Sequence, residues 1–366
     1  MRCVEMIRGM ALLGVAAMLG SAAAAAQTPP APQDAAAAWT YLNSLSPTDR
    51  LPVLEREARR EGGAVVYGAL GIDRANLFVG PFEKKYPGIK IDFVRLGEPE
   101  LVDKMLLEAR TGRINSDVAI SNIPWLDLLN PALAPYQPTT WDSFAPALRL
   151  GGAAKGWTAM AYEILPSAIA WRTDRVAASE APRTLDQVMD PKWKGRVGTT
   201  THLESMVEGM ITAYGEPAAM EKVKKLAALD NRLYRSIAAL SDALAQGEID
   251  VAWNMGAHRP SKLKAQGAPV DFVLQDPLFG QGITLSATKG ATHPYAAALF
   301  IEFATQAKTL EEVDKAEPGR FFGNQAGHYT LNVADYPRLI LFAPITQAHF
   351  RELKQLTDQL FVRGGK

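Results

Sequence analysis

From Ala64 onward, short apolar runs alternate with amphipathic helical stretches, and this rhythm constrains the fold more than any other feature of the chain. Residues 64–70 read as a strand closed by Gly71, and residues 73–85 as a helix in which Pro81 predicts a kink or a split. Residues 89–96 alternate as a second strand, with Ile89, Ile91 and Phe93 on one face. Pro99 opens a helix with Leu101, Met105 and Ala109 four residues apart, Gly112 ends it, and residues 117–120 form a third, buried strand. This β-α-β-α-β order implies a parallel sheet with helices on both faces.

The same unit then recurs without a sequence repeat. Residues 164–171 and 196–200 read as strands, and helices begin near His202 and near Pro217. Gly247 caps a further helix, and Ile249, Val251 and Trp253 alternate into a strand. Residues 270–274 and 282–287 are strands, and residues 293–315 read as one long helix. Two α/β lobes follow, connected by strands near Tyr162 and near Phe279. The expected divisions are residues 62–162 with 280–315 as the first lobe, and residues 163–279 with 316–366 as the second.

The N-terminal residues are of another kind. Arg2 and Arg8 precede an apolar stretch over residues 10–20, and alanines at 22–26 offer a small-residue cleavage site, so residues 1–26 read as a secretory signal. Residues 27–38, rich in Ala, Pro and Gln, read as a flexible start within an N-terminal extension (27–61). Ser46, Pro47 and Asp49 begin the helix of that extension, which stops at Gly62–Gly63. The one cysteine, Cys3, lies in the leader. The processed chain would therefore carry no disulfide, no thiol nucleophile, no cysteine metal ligand and no attachment point for a lipid anchor. Without residues 1–26 the chain has 340 residues, 37 basic and 38 acidic. That balance gives no footprint for nucleic acid or an anionic membrane surface, and the length favours two domains over one.

Several segments resemble one family: residues 61–68 (EGGAVVYG), 82–90 (FEKKYPGIK), 181–185 (APRTL), 190–196 (DPKWKGR), 247–252 (GEIDVA), 267–270 (GAPV) and 293–298 (HPYAAA). Their sequences and order resemble bacterial extracellular solute-binding proteins of ABC importers, most closely the ferric-iron-type branch, along nearly the whole processed chain. The resemblance implies a type II periplasmic-binding fold, in which two lobes of discontinuous segments close like a hinge on a ligand. It also implies a monomeric periplasmic protein with an inner-membrane permease as partner and no cofactor. The chain departs from the branch at one place. Ferric binders carry adjacent tyrosines shortly after the strand that here ends at Trp253–Asn254, whereas this chain continues Met255, Gly256, Ala257, His258, Arg259, Pro260. Ferric iron or a ferric chelate is therefore the alternative ligand, and a ligand-sensing role without transport is the alternative function.

Ligands of open α/β sheets sit beyond the carboxyl ends of the strands. That rule singles out Leu70 and Gly71 after the first strand, and Ser121 and Asn122 after the third. In the second lobe it singles out Thr199, Thr200, Thr201 and His202 before a helix, and Asn254, His258 and Arg259 after the strand of Trp253. Hydroxyls at a helix start suit an anion, although Thr201 could equally cap that helix. Arg259 is able to bind a carboxylate, phosphonate or phosphate bidentately, or to be a surface arginine near Lys262 and Lys264. His258 is a lone histidine without a ligand-spaced partner, so no metal site is expected. Trp171 near the crossover could floor a cleft or pack in the core, as could Tyr162, while Trp125, Trp141 and Trp157 are read as packing. Glu98 and Glu100 read as a solvated helix start. No HExxH, G-x-S-x-G, P-loop or GxGxxG occurs, so binding without catalysis is expected, with a small organic anion as ligand.

Overall fold

The computed structural model describes residues 31–363. The secretory leader called at residues 1–26 lies outside the described residues. No helix among the described residues is long and apolar enough to cross a membrane.

Helix α1 (Ala35–Ser44) starts inside the segment expected to be flexible, because Trp39 and Leu42 pack into the core and Asp34 caps Ala37 N–H. Helix α2 (Pro47–Glu61) begins as the sequence predicts: Ser46 accepts from Asp49 N–H, and Gly62 closes the helix at φ 78°. Strand β1 (Gly63–Gly68), helix α3 (Ile72–Lys85), β2 (Lys90–Arg95), α4 (Glu98–Thr111) and β3 (Val118–Asn122) then form the parallel unit, with β1 between β2 and β3. Pro81 does not split α3, whose Phe78 and Phe82 are buried on either side of it and hold the helix against the core.

After the short α5 (Leu126–Leu129) and β4 (Arg149–Gly152) comes β5 (Trp157–Arg172), a strand of 16 residues that belongs to both halves of the molecule. The second half carries α6 (Leu185–Val188), β6 (Val197–Thr200), α7 (Glu204–Tyr214), α8 (Glu216–Ala227), β7 (Arg232–Tyr234), α9 (Ile237–Gln246), β8 (Val251–Gly256), α10 (His258–Ala265) and β9 (Val270–Leu274). Strand β10 (Leu278–Ala287) returns, antiparallel to both β3 and β5. The sheet order is β2-β1-β3-β10-β5-β8-β6-β7. Ile164 of β5 lies in the core built around Phe82 and Phe300, whereas Ile169, five residues on, lies in the core of Trp193, Met206 and Trp253. Tyr162 and Phe279 thus fall in the two strands that join the halves, as the sequence places them.

The expected helix over residues 293–315 is two helices, α11 (Pro294–Ala304) and α12 (Ala307–Ala316). Thr305 bonds back to the Ile301 carbonyl and Asn324 donates to the Thr305 carbonyl, so the freed backbone acceptor is satisfied where the helix stops. The C-terminal segment divides between the halves. Strand β11 (Phe321–Phe322) pairs with β5 at Ile164 and Glu163 in the first core, β12 (Leu339–Leu341) pairs with β10, and α13 (Gln347–Thr357) packs against α7.

Candidate functional site

The carboxyl ends of β1, β3, β6 and β8 face a cleft with two adjacent chambers. One, of about 400 Å³, lies between the starts of α4 and α7 and the tail residues Phe342, Phe350 and Lys354. The other, of about 370 Å³, lies between the β1–α3 turn and α10. Asn122, Ile237 and Gln281 line both, so the two chambers are adjacent.

Of the twelve residues singled out by sequence, eight line this cleft. Thr200, His202 and Asn254 face the first chamber, Leu70, Gly71, His258 and Arg259 the second, and Asn122 both. The other four lie behind it. Ser121 is buried and donates to the Glu98 carboxylate; Thr199 is fully buried and donates to the Trp253 carbonyl; Thr201 gives its backbone N–H to Tyr234. Trp171 is core, with the Arg183 guanidinium 5.5 Å from its ring centroid. The threonine run therefore reaches the cleft through Thr200 alone. The first turn of the following helix carries Glu204, whose negative charge complements the helix dipole and disfavours an external anion there.

Asn254 is aimed by a defect in its strand. Ala168 of β5 pairs with Met255 and Ala170 with Ala252, so β8 carries a bulge at this point, and Asn254 has φ 56°. Asparagine tolerates the left-handed region better than other side chains, and a bulge redirects the residue it contains. Ser167 Oγ donates to Asn254 Oδ1 at 3.1 Å and fixes the amide.

The second chamber carries four cationic side chains, Arg74, Arg259, Lys262 and Arg320, against the carboxylates of Asp73 and Glu317. Glu163, fully buried on β5, accepts from both Arg74 and Arg320, and Glu317 lies 3.2 Å from Arg74 and 2.8 Å from Arg320. Burial alone would raise the Glu163 pKa, but the two guanidiniums outweigh it and hold the carboxyl below its ordinary value. These arginines are neutralised where they stand. Arg259, in the first turn of α10, makes no ion pair among the described residues, and its Nε is buried without a partner. His258 beside it has a buried, unpartnered Nδ1. Burial first, then the charges of Arg320, Arg259, Arg74 and Lys262, push its pKa well below the ordinary imidazole value. Gly319 makes the close packing of this corner possible: at φ 97°, any Cβ there would stand 3.0 Å from His258 Cα.

Sequence reasoning missed several lining groups. Glu98 is not a solvated helix start. It lies in the first chamber, where its Oε1 accepts from Asn122 N–H at 2.9 Å, and burial raises its pKa against the bonds from Ser121 and Asn122. Glu100, by contrast, is exposed and caps Gly97. Trp125 lines the same chamber and packs against Phe350, with ring centroids 4.9 Å apart and planes tilted by 50°. Gln281, Phe342, Phe350, Arg320 and Glu317 come from β10 and the tail, far along the chain from the strand ends, and no local pattern marks them. Among the described residues no group of three or more His, Asp or Glu is placed to hold a metal ion, and no tyrosine lines either chamber.

Residues 78–319 match the family model of bacterial extracellular solute-binding proteins. No curated protein sequence matches the chain. Among solved structures, AfuA from Actinobacillus pleuropneumoniae with fructose-6-phosphate bound is 18% identical, with a TM-score of 0.64 over 82% of this chain and 99% of its own. Iron-bound HitA from Pseudomonas aeruginosa is 18% identical, with a TM-score of 0.67 over 81% and 99%. Trichodesmium IdiA (FutA), in complex with iron and citrate, is 17% identical, with a TM-score of 0.63 over 83% and 100%. At this identity the likeness establishes the fold alone, that of a type II periplasmic binding protein. The family match covers most of the chain, which therefore belongs to the bacterial extracellular solute-binding proteins, a family of binding proteins.

Proposed function

We propose that this member of the family is the periplasmic substrate-binding component of an ABC importer and captures a small organic anion, such as a phosphonate, phosphate ester or carboxylate. The observation that carries the reading is Arg259. It stands at a helix start in the cleft without a carboxylate partner among the described residues, beside a neutral His258 and near Lys262, while the neighbouring Arg74 and Arg320 are paired. An unpaired guanidinium beside a helix N-terminus offers an anion two parallel charge-assisted bonds. Ferric iron is the less favoured ligand, because hard Fe(III) calls for several oxygen anions, whereas this chamber has no phenolate, its four cationic side chains outnumber the carboxylates of Asp73 and Glu317, and Glu317 is engaged by Arg74 and Arg320.

In this reading, residues 62–162 with 280–315 form one lobe and residues 163–279 the other, and the tail contributes to both. The protein is exported by cleavage of residues 1–26, acts as a monomer, needs no cofactor and delivers its ligand to an inner-membrane permease. Asn122 and Gln281 from one lobe and Asn254, His258 and Arg259 from the other contact the ligand, which favours the closed state because it bridges them. Calorimetric titration with phosphate esters, phosphonates, carboxylates, ferric citrate and polyamines tests the reading. Arg259→Ala is expected to weaken the best anion by about 1.5–3 kcal/mol, the scale of a charge-assisted hydrogen bond. Unchanged affinity, or binding of Fe(III) or polyamines only, rejects it.

A further inference from the structure

We infer that the ligand is bipolar: its anionic end meets Arg259 in one chamber, and a protonated amine at its other end sits between Glu98 and Glu204 in the other. The inference rests on the reading of the cleft as an anion site and extends it to the opposite end.

Glu204 opens α7 in one half of the molecule and is only 3% exposed. Its Oε1 is buried and has no hydrogen-bond partner, and the residue lines the chamber. Glu98 opens α4 in the other half. Its Oε1 is used by Ser121 and Asn122, but its Oε2 is also buried and unpartnered. A buried carboxylate oxygen without a donor is costly, and here two residues that line one chamber from opposite halves each carry one; a cation between them would supply the donor and favour the ionised form of Glu98, whose pKa burial raises.

Neither basic side chain that lines the chamber provides that donor. Lys354 lines the chamber but is bound to both carboxylate oxygens of Asp358, at 2.9 and 3.0 Å, and His202 is exposed. An ammonium group carries three donors and the compensating charge. The walls suit it as well: Trp125, Phe342 and Phe350 present aromatic surface to the methylenes and charge of an alkylamine. Asn122, Ile237 and Gln281 border both chambers, which places the two ends of such a ligand in neighbouring compartments. Closure on a ligand without an amine would leave two unpaired carboxylates together, so the amine also selects which ligands close the cleft.

The test is calorimetry of the full chain without its leader against matched probes: 2-aminoethyl phosphate and ethyl phosphate, 4-aminobutanoate and butanoate, 6-aminohexanoate and hexanoate. In at least one pair the amine is expected to bind about tenfold tighter or more. Glu204→Gln should abolish that preference, weakening the amine and relieving the penalty on its amine-free partner, whereas Arg259→Ala should weaken both members. Glu98→Gln, on the opposite half, repeats the test if Glu204→Gln does not fold by circular dichroism. If the amine-free member binds as tightly in every pair, or the preference survives both glutamine variants, the amine site is wrong and the anion site stands. If no member of any pair binds, both are wrong.

Discussion

Glu61 shows how one side chain couples two elements to pH. It ends α2, yet its carboxylate accepts from Ala296 N–H at 2.7 Å and Tyr295 N–H at 3.2 Å, capping α11 from outside. Burial raises its pKa from 4.5 to about 7, outweighing those two bonds. The unfolded chain releases this proton near 4.5, so the stability tied to it is complete below that value, falls as pH rises, and is gone above about 7. Urea denaturation across that interval should show the decline, and Glu61→Gln should flatten it; a parent protein of constant stability there would contradict the assignment. At this scale the sequence was partly legible. Arg259 and Asn254 were found because residues after a strand end face the cleft in open α/β sheets. Glu98 was misread because an acid at a helix start has the same pattern whether solvent or a facing strand lies beside it. Trp171 was ambiguous for a similar reason, since strand alternation does not say which face meets the core.

At the scale of elements, helix starts carrying caps and glycine stops were readable, and breaks decided by distant partners were not. The division of α11 from α12 depends on Asn324, which binds the Thr305 carbonyl from 19 residues away. Likewise α3 continues through Pro81 because Phe78 and Phe82 anchor it, a tertiary effect that outweighs the proline penalty. Helix α13 is the element least visible in advance and the one with the clearest bearing on the cleft. It packs on α7, while Phe350 packs against Trp125 and Ile345 N–H bonds the Pro124 carbonyl at 2.9 Å, so the tail touches both halves. Phe350→Ala is expected to cost about 1–3 kcal/mol in urea denaturation, from a lost aromatic pair and part of a buried ring. It should also reduce the rise in Tm produced by a bound anion. A variant with parental stability and an undiminished ligand shift would show that α13 does not wall the site.

For the whole molecule, the alternation of strands and helices announced the two halves, because each parallel unit needs its own covered sheet. What it left open was how the halves share one sheet. Strands β5 and β10 run from one core to the other, and the cleft lies where they cross, with Glu163, Asn122 and Gln281 beside the crossing. A ligand bound by residues of both lobes shifts such a molecule toward its closed form. Small-angle X-ray scattering of the protein, alone and saturated with the tightest organic anion of the calorimetric panel, tests this most directly. A smaller radius of gyration at one ligand per protein, lost in Arg259→Ala at the same anion concentration, is the predicted result. Saturation with an unchanged radius, or a contraction that Arg259→Ala retains in full, would place the anion outside the cleft and contradict the account.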